Sequence, residues 1–113
     1  MMSINNEIEE IEISIDSAKR TIELGKSLEK LKKNKEFKEI ILDGYFNKEA
    51  VRLVGLKRDP NCQDPVQQAD IDQALNGISE LQEHFRKIER FADQAQAALE
   101  DFEAAKEEAL LEE

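Results

Sequence analysis

The apolar positions near the start of the chain follow the pattern of a helix with one narrow apolar stripe. From Ile4 onward they alternate in steps of four and three residues. The stripe consists of Ile4, Ile8, Ile11, Ile15, Ala18, Ile22 and Gly25. This spacing is typical of a coiled-coil seam, and it predicts a long helix over about residues 4–33. Ser3, Asn5 or Asn6 can cap its N-terminus.

A second apolar stripe covers the C-terminal half of the chain. It begins after Asp64-Pro65, a strong helix start, because Asp can cap a helix and proline is preorganised for the first helical position. Gln67 also stands where a capping box places Glu or Gln. The stripe consists of Ile71, Leu75, Ile78, Leu81, Phe85, Ile88, Ala92, Ala95, Leu99 and Phe102. It predicts a second long helix over about residues 65–110.

Large apolar residues concentrate between the two predicted long helices, in residues 34–60. Asn34 is placed to cap a short helix that ends at Gly44, since glycine readily adopts the left-handed conformation after a helix. Asn47 is placed to cap a second short helix, which closes before Pro60. The apolar face expected for this second helix consists of Ala50, Val51, Leu53 and Val54.

These elements predict an all-α fold. Two long helices joined by a compact tip must run antiparallel if they pair within one chain. The sequence therefore predicts a single domain over residues 1–113, an antiparallel coiled-coil-like hairpin of two long helices with two short helices at its tip and a loop at 59–64. A hairpin closed within one chain and a dimer formed by exchange between two chains would use the same seams.

The lengths of the two long helices suggest a register between them. At 1.5 Å per residue they match if Gly25 lies near Ile88 and Ile4 lies near Ala109. A glycine inside a helix costs roughly 1 kcal/mol relative to alanine. We therefore expect Gly25 to make room for a large neighbour, Phe85 or Ile88.

The predicted tip also supplies candidate partner-binding residues. Two short helices cannot bury every apolar side chain of this stretch, so some remain for a partner to cover. The candidates are Leu42, Tyr45, Phe46, Arg52, Leu53 and Leu56. The three leucines and Phe46 are expected to be exposed or covered by a partner, and burial in a small core is the alternative for the aromatic residues. Arg52 either pairs with Glu49, three residues before it, or hydrogen-bonds the carbonyls of the Asp43-Gly44 turn.

Composition narrows the class of protein. Charged residues make up 37% of the chain and aromatic residues 5%, with four Gly and two Pro, which is typical of long exposed helices. No apolar run approaches the length of a membrane span, and no basic and apolar N-terminal segment signals secretion. We expect a cytoplasmic product that is neither membrane-embedded nor secreted.

The net charge of −10 is concentrated at the two ends of the chain. Residues 1–16 carry five acidic residues and no basic one, and residues 99–113 carry seven acidic residues and Lys106. In an antiparallel hairpin these segments repel each other unless a cation or a basic surface meets them. The lysine-rich residues 26–38 are typical of a solvated helix. A tip that binds nucleic acid is the weaker alternative, since no aromatic stacking platform accompanies the lysines.

No catalytic or metal-binding signature is present in the sequence. Cys62 is the only cysteine, and we expect a solvent-exposed loop thiol, because the only possible histidine base, His84, lies far away on a helix. For Glu80 and His84, four residues apart, a surface hydrogen bond is expected, since a di-iron site needs several Glu-x-x-His elements. Phosphate, dinucleotide and calcium loops are absent. We therefore expect a non-enzymatic protein without a metal or cofactor.

The central stretch carries a pattern of packing and turn residues, Phe37, Gly44, Tyr45, Phe46, Glu49, Ala50, Arg52 and Leu53. With this pattern, residues 37–103 resemble small uncharacterised helical proteins encoded among the head and tail genes of tailed bacteriophages. The resemblance implies a virion component or an accessory of virion assembly, present in the cytoplasm of the infected cell and in the virion. It implies no catalytic residues.

Together these features predict a non-enzymatic phage structural or virion-assembly protein that acts through protein–protein contacts. Its expected partners are other virion or assembly proteins and further copies of itself. The alternative is a small acidic inhibitor or regulator that occupies a basic site on a host or defence protein. Salt separates the two hypotheses, because an acid-driven contact weakens steeply as ionic strength rises.

Overall fold

The computed structural model describes residues 4–112. The helical segments in this range are α1 (Ile4–Lys33), α2 (Lys35–Phe37), a π-helix (Lys38–Glu49), α3 (Ala50–Arg58), a 3₁₀ helix (Pro60–Cys62) and α4 (Pro65–Leu111). No strand occurs in residues 4–112, so the predicted all-α class is confirmed. Ser3, one of the expected caps of α1, lies outside the described residues.

The chain forms two compact units. One consists of Met1–Leu28 and Lys87–Glu113 and is called here the helix-pair unit. The other consists of Glu29–Arg86 and is called the central unit. The helices α1 and α4 contribute residues to both.

In the helix-pair unit, the predicted seam of α1 is buried against α4 from Ile15 onward, while Ile4, Ile8 and Ile11 are half-buried. Its buried residues are Ile15, Ala18, Ile22, Gly25 and Leu28 on α1 and Ala109 on α4. Apolar burial is the main favourable term in helix packing, at about 25 cal/mol per Å². Every buried side chain of the described range nevertheless keeps some contact with solvent. Two helices alone therefore give this unit a thin core.

Two contacts fix the direction and register of the pair. The Lys106 Nζ lies 3.3 Å from the Glu12 Oε1, and a Cβ on Gly25 would lie 2.5 Å from the Cβ of Ala92. Residues later in α1 therefore contact residues earlier in α4, so the two helices are antiparallel within this unit. The predicted register was wrong by about one helical turn, because Gly25 faces Ala92 and not Ile88. The close approach of two small residues, not the matching of helix lengths, sets the register.

Within the central unit, Asn34 forms the cap that the sequence predicts. Its side-chain oxygen accepts a hydrogen bond of 2.8 Å from the backbone N–H of Phe37. From there α2 continues directly into a π-helix of 12 residues and then into α3. The two short helices predicted on either side of Gly44 are not confirmed. No residue in the described range, glycine or otherwise, has a positive φ. Gly44 therefore does not adopt the left-handed conformation that ends a helix, and the π-helix continues through it.

The surroundings of Gly44 give this glycine a different role. In a π-helix the N–H of each residue points to the carbonyl five residues earlier, here that of Glu39. A Cβ on Gly44 would lie 2.8 Å from the carbonyl oxygen of Glu39. The glycine thus permits a close approach of backbone within the π-helix, and does not supply a left-handed turn.

The link between α3 and α4 follows the sequence closely. The helix α3 ends at Arg58, and the extended Asp59 accepts a hydrogen bond of 2.9 Å from the backbone N–H of Asn61. The Asp64 Oδ2 accepts one of 3.2 Å from the backbone N–H of Gln67. The predicted helix end before Pro60 and the predicted cap of α4 are both confirmed.

The core of the central unit lies between α3 and the first turns of α4. It consists of buried Leu53, Ile71 and Ile78, and the residues packed against it are Tyr45, Phe46, Ala50, Leu56, Cys62 and Leu75. The inner face of α3 is therefore Ala50, Leu53 and Leu56. Val51 and Val54, which were expected to face inward, are 66% and 53% exposed. The larger leucine side chains occupy the core, since they bury more apolar surface than valines.

Candidate interaction surfaces

The structure brings four of the six predicted partner-binding residues into one cluster. Leu53 is only 5% exposed and belongs to the core, so its expected exposure was wrong. Tyr45, Phe46 and Leu56 are half-buried and pack against that core. Leu42 is also half-buried, and Arg52 is exposed. The apolar side chains that do reach solvent in this unit are others, namely Leu31, Ile40, Val51, Val54 and Val66.

Aromatic rings contribute a second set of contacts in the central unit. The ring of Phe85 lies 5.8 Å from that of Phe37 and 5.8 Å from that of Phe46, both tilted. Tyr45 extends the cluster, with its ring 6.0 Å from that of Phe46. Tilted rings at such distances attract each other beyond the effect of buried area. Phe85, one of the two neighbours expected for Gly25, thus links the end of α2 to the π-helix.

Arg52 pairs with Glu49. Its Nε lies 3.1 and 3.0 Å from the two carboxylate oxygens, and its Nη2 also donates to Glu49. The hydrogen bond from Arg52 lowers the pKa of the Glu49 carboxyl below its ordinary value, and the same bond raises the pKa of the guanidinium. Of the two predicted partners of Arg52, the structure shows Glu49.

Asp43 makes two side-chain contacts, one of which spans the five residues of π-helical spacing. Its Oδ2 lies 3.1 Å from the Nζ of Lys48, five residues later, and its Oδ1 accepts a hydrogen bond of 3.3 Å from the side-chain amide of Asn47. The hydrogen bond from Lys48 is the main cause of a lowered pKa at Asp43, with Asn47 second. In an α-helix, residues three and four apart are neighbours. Asn47, which was predicted to cap a helix, instead donates a hydrogen bond to the Asp43 carboxylate.

The segment that contains Cys62 is held by glutamine side chains. The Gln68 amide donates hydrogen bonds to the carbonyl of Lys57 at 3.1 Å and to the carbonyl of Cys62 at 2.8 Å. Gln63 donates to the carbonyls of Lys57 and Asp59. Cys62 itself is half-buried against the core, so the expected solvent-exposed thiol was wrong. The two bonds to Lys57 satisfy a carbonyl that the end of α3 leaves open.

Glu80 and His84, the remaining residues singled out in the sequence for their chemistry, both lie on α4. His84 is exposed on α4, with its ring 6.2 Å from that of Phe85. The hydrogen bond predicted between Glu80 and His84 stays a prediction. Within residues 4–112, no group of three or more His, Cys, Asp or Glu side chains is arranged to hold a metal ion. Across the same range, no helix is both long and apolar enough to cross a bilayer.

The helix-pair unit carries a surface that the sequence did not reveal. Two adjoining hollows of about 560 and 390 Å³ lie between α1 and α4, and Ser14 and Phe102 line both. We call them together the open groove. Its small lining residues are Ser14, Ser17, Ala18, Thr21, Ala95, Ala98, Ala105 and Ala109. Ile13 and Phe91 stand beside the small residues and are 62% and 49% exposed.

The side chains that line the open groove are charged at one end only. Its acidic lining residues are Glu7, Glu10, Glu108 and Glu112, and its described lining contains no Lys or Arg. At the other end, the guanidinium of Arg90 lies 5.4 Å from the centre of the Phe91 ring. The groove therefore combines an apolar stretch with a carboxylate-rich end.

A sequence signal for the open groove exists beside the predicted seam. Phe91, Ala98 and Ala105 are spaced by seven residues, one heptad apart, next to the seam of α4. Such a second row widens the apolar stripe from a coiled-coil seam to the broader face of a bundle helix. The alanines weaken the signal, because alanine also occurs widely on exposed helix faces.

Comparison of the chain with protein-family models, curated proteins and solved structures found no match. The resemblance to phage-encoded proteins therefore stays a prediction that depends on the residues of the central stretch.

Proposed function

We propose that this chain is a non-enzymatic protein that acts through protein–protein contacts, as a structural or assembly component of a tailed-phage virion. The observation that carries the contact role is the open groove, where Ile13 and Phe91 expose large apolar side chains beside small ones. Contiguous apolar surface of this kind marks interaction sites in soluble proteins. The virion role is supported only by the resemblance of residues 37–103.

The inner part of the predicted tip contributes less to this role than the sequence suggested. Leu53 stabilises the core, and Tyr45, Phe46 and Leu56 are half-buried on it. A partner on this side would contact exposed side chains such as Val51 and Val54. The proposed interface therefore lies first on the helix-pair unit.

The direct test is recovery of the chain with its partners. A tagged copy expressed in the native host, and purified virions, are analysed by quantitative mass spectrometry. We expect capsid or tail proteins in fixed stoichiometry with the chain. Absence from particles, together with no virion protein bound to the tagged copy, would refute the virion role.

A second candidate function is favoured by the carboxylates at one end of the open groove. A small acidic inhibitor would use Glu7, Glu10, Glu108 and Glu112 to occupy a basic site on a host protein. Its affinity should fall steeply between about 20 and 300 mM salt, because screening of exposed charges becomes strong over roughly this range. A contact made by Phe91 and its apolar neighbours should change little over the same range. Binding to any recovered partner at both salt concentrations distinguishes the two.

A further inference from the structure

We draw no further inference here: the strongest candidate, the open groove between α1 and α4 in the helix-pair unit, carries none, because nothing in the structure shows what covers this unpartnered face.

Discussion

At the level of single residues, two glycines in the run from Lys35 to Arg58 have opposite surroundings. Gly44→Ala places a Cβ 2.8 Å from the backbone carbonyl of Glu39, whereas nothing lies within 4 Å of a Cβ on Gly55. We expect Gly44→Ala to lower the free energy of unfolding by about 1–3 kcal/mol, as for overpacking. Gly55→Ala should raise it by about 0.5–1 kcal/mol, because glycine is unfavourable inside an exposed helix. Urea denaturation measures both. An equal gain in the two variants would show that residues 38–49 form an ordinary α-helix.

Arg52 offers a test that depends on pH. Its bond lowers the pKa of Glu49 in the folded chain, so the pair adds stability above the ordinary pKa of a glutamate and loses it as the pH falls. Because the pair is exposed, Arg52→Ala should lower the melting temperature only slightly at pH 7. The difference in melting temperature between the variant and the parent chain should shrink as the pH falls through the lowered pKa of Glu49 in the folded chain. Arg58→Ala, on the same helix, serves as the control. A large drop in melting temperature at pH 7 would mean that Arg52 makes stabilising contacts besides the one with Glu49.

At the level of helices, the pairing of Gly25 with Ala92 can be tested by exchange. Gly25→Ala brings two Cβ atoms to 2.5 Å, and neither can rotate away, so the helices must separate at a cost of about 1–3 kcal/mol. Adding Ala92→Gly removes the clash, and the double variant should be more stable than the sum of the single changes predicts. A double-mutant cycle from thermal unfolding measures this coupling. Ile88→Ala, at the neighbour expected from helix lengths, should not rescue Gly25→Ala.

The elements that could be predicted from the sequence were those marked by capping residues or by regular apolar spacing. The caps at Asn34 and Asp64 and the buried seam around Ile15 follow from side-chain chemistry and spacing alone. The π-helix could not be predicted, because an Asp-Gly pair more often ends a helix than allows a close backbone approach. The inner face of α3 was ambiguous, since valines and leucines alternate on its two sides. The open groove was missed because alanine marks both packed and solvated faces.

At the level of the whole molecule, the net charge of −10 and the helix dipoles both affect the thermal stability. The last turn of α4 contains no basic residue, and Glu107 lies close to its negative end. We expect Glu107→Gln to raise the melting temperature at low salt by relieving the repulsion of like charges and of the helix dipole, worth about 0.3–1 kcal/mol. Glu36→Gln removes a carboxylate from the first turn of α2, where the helix dipole favours negative charge, and should lower the melting temperature. Both differences should shrink in 0.5 M salt, roughly the regime of strong screening. A similar shift in both variants would show that net charge alone matters.

The position of Tyr45 also determines how the molecule can be observed. The chain contains one tyrosine and no tryptophan, so all of its intrinsic fluorescence at longer ultraviolet wavelengths arises from this residue. Its hydroxyl lies 3.6 Å from where a Cβ on Gly77 would be, and its ring contacts that of Phe46, both in the central unit. Tyrosine emission therefore reports on the central unit alone, while far-ultraviolet circular dichroism sums all helices. The molecule carries a built-in optical label that separates the folding of its two units without any chemical modification.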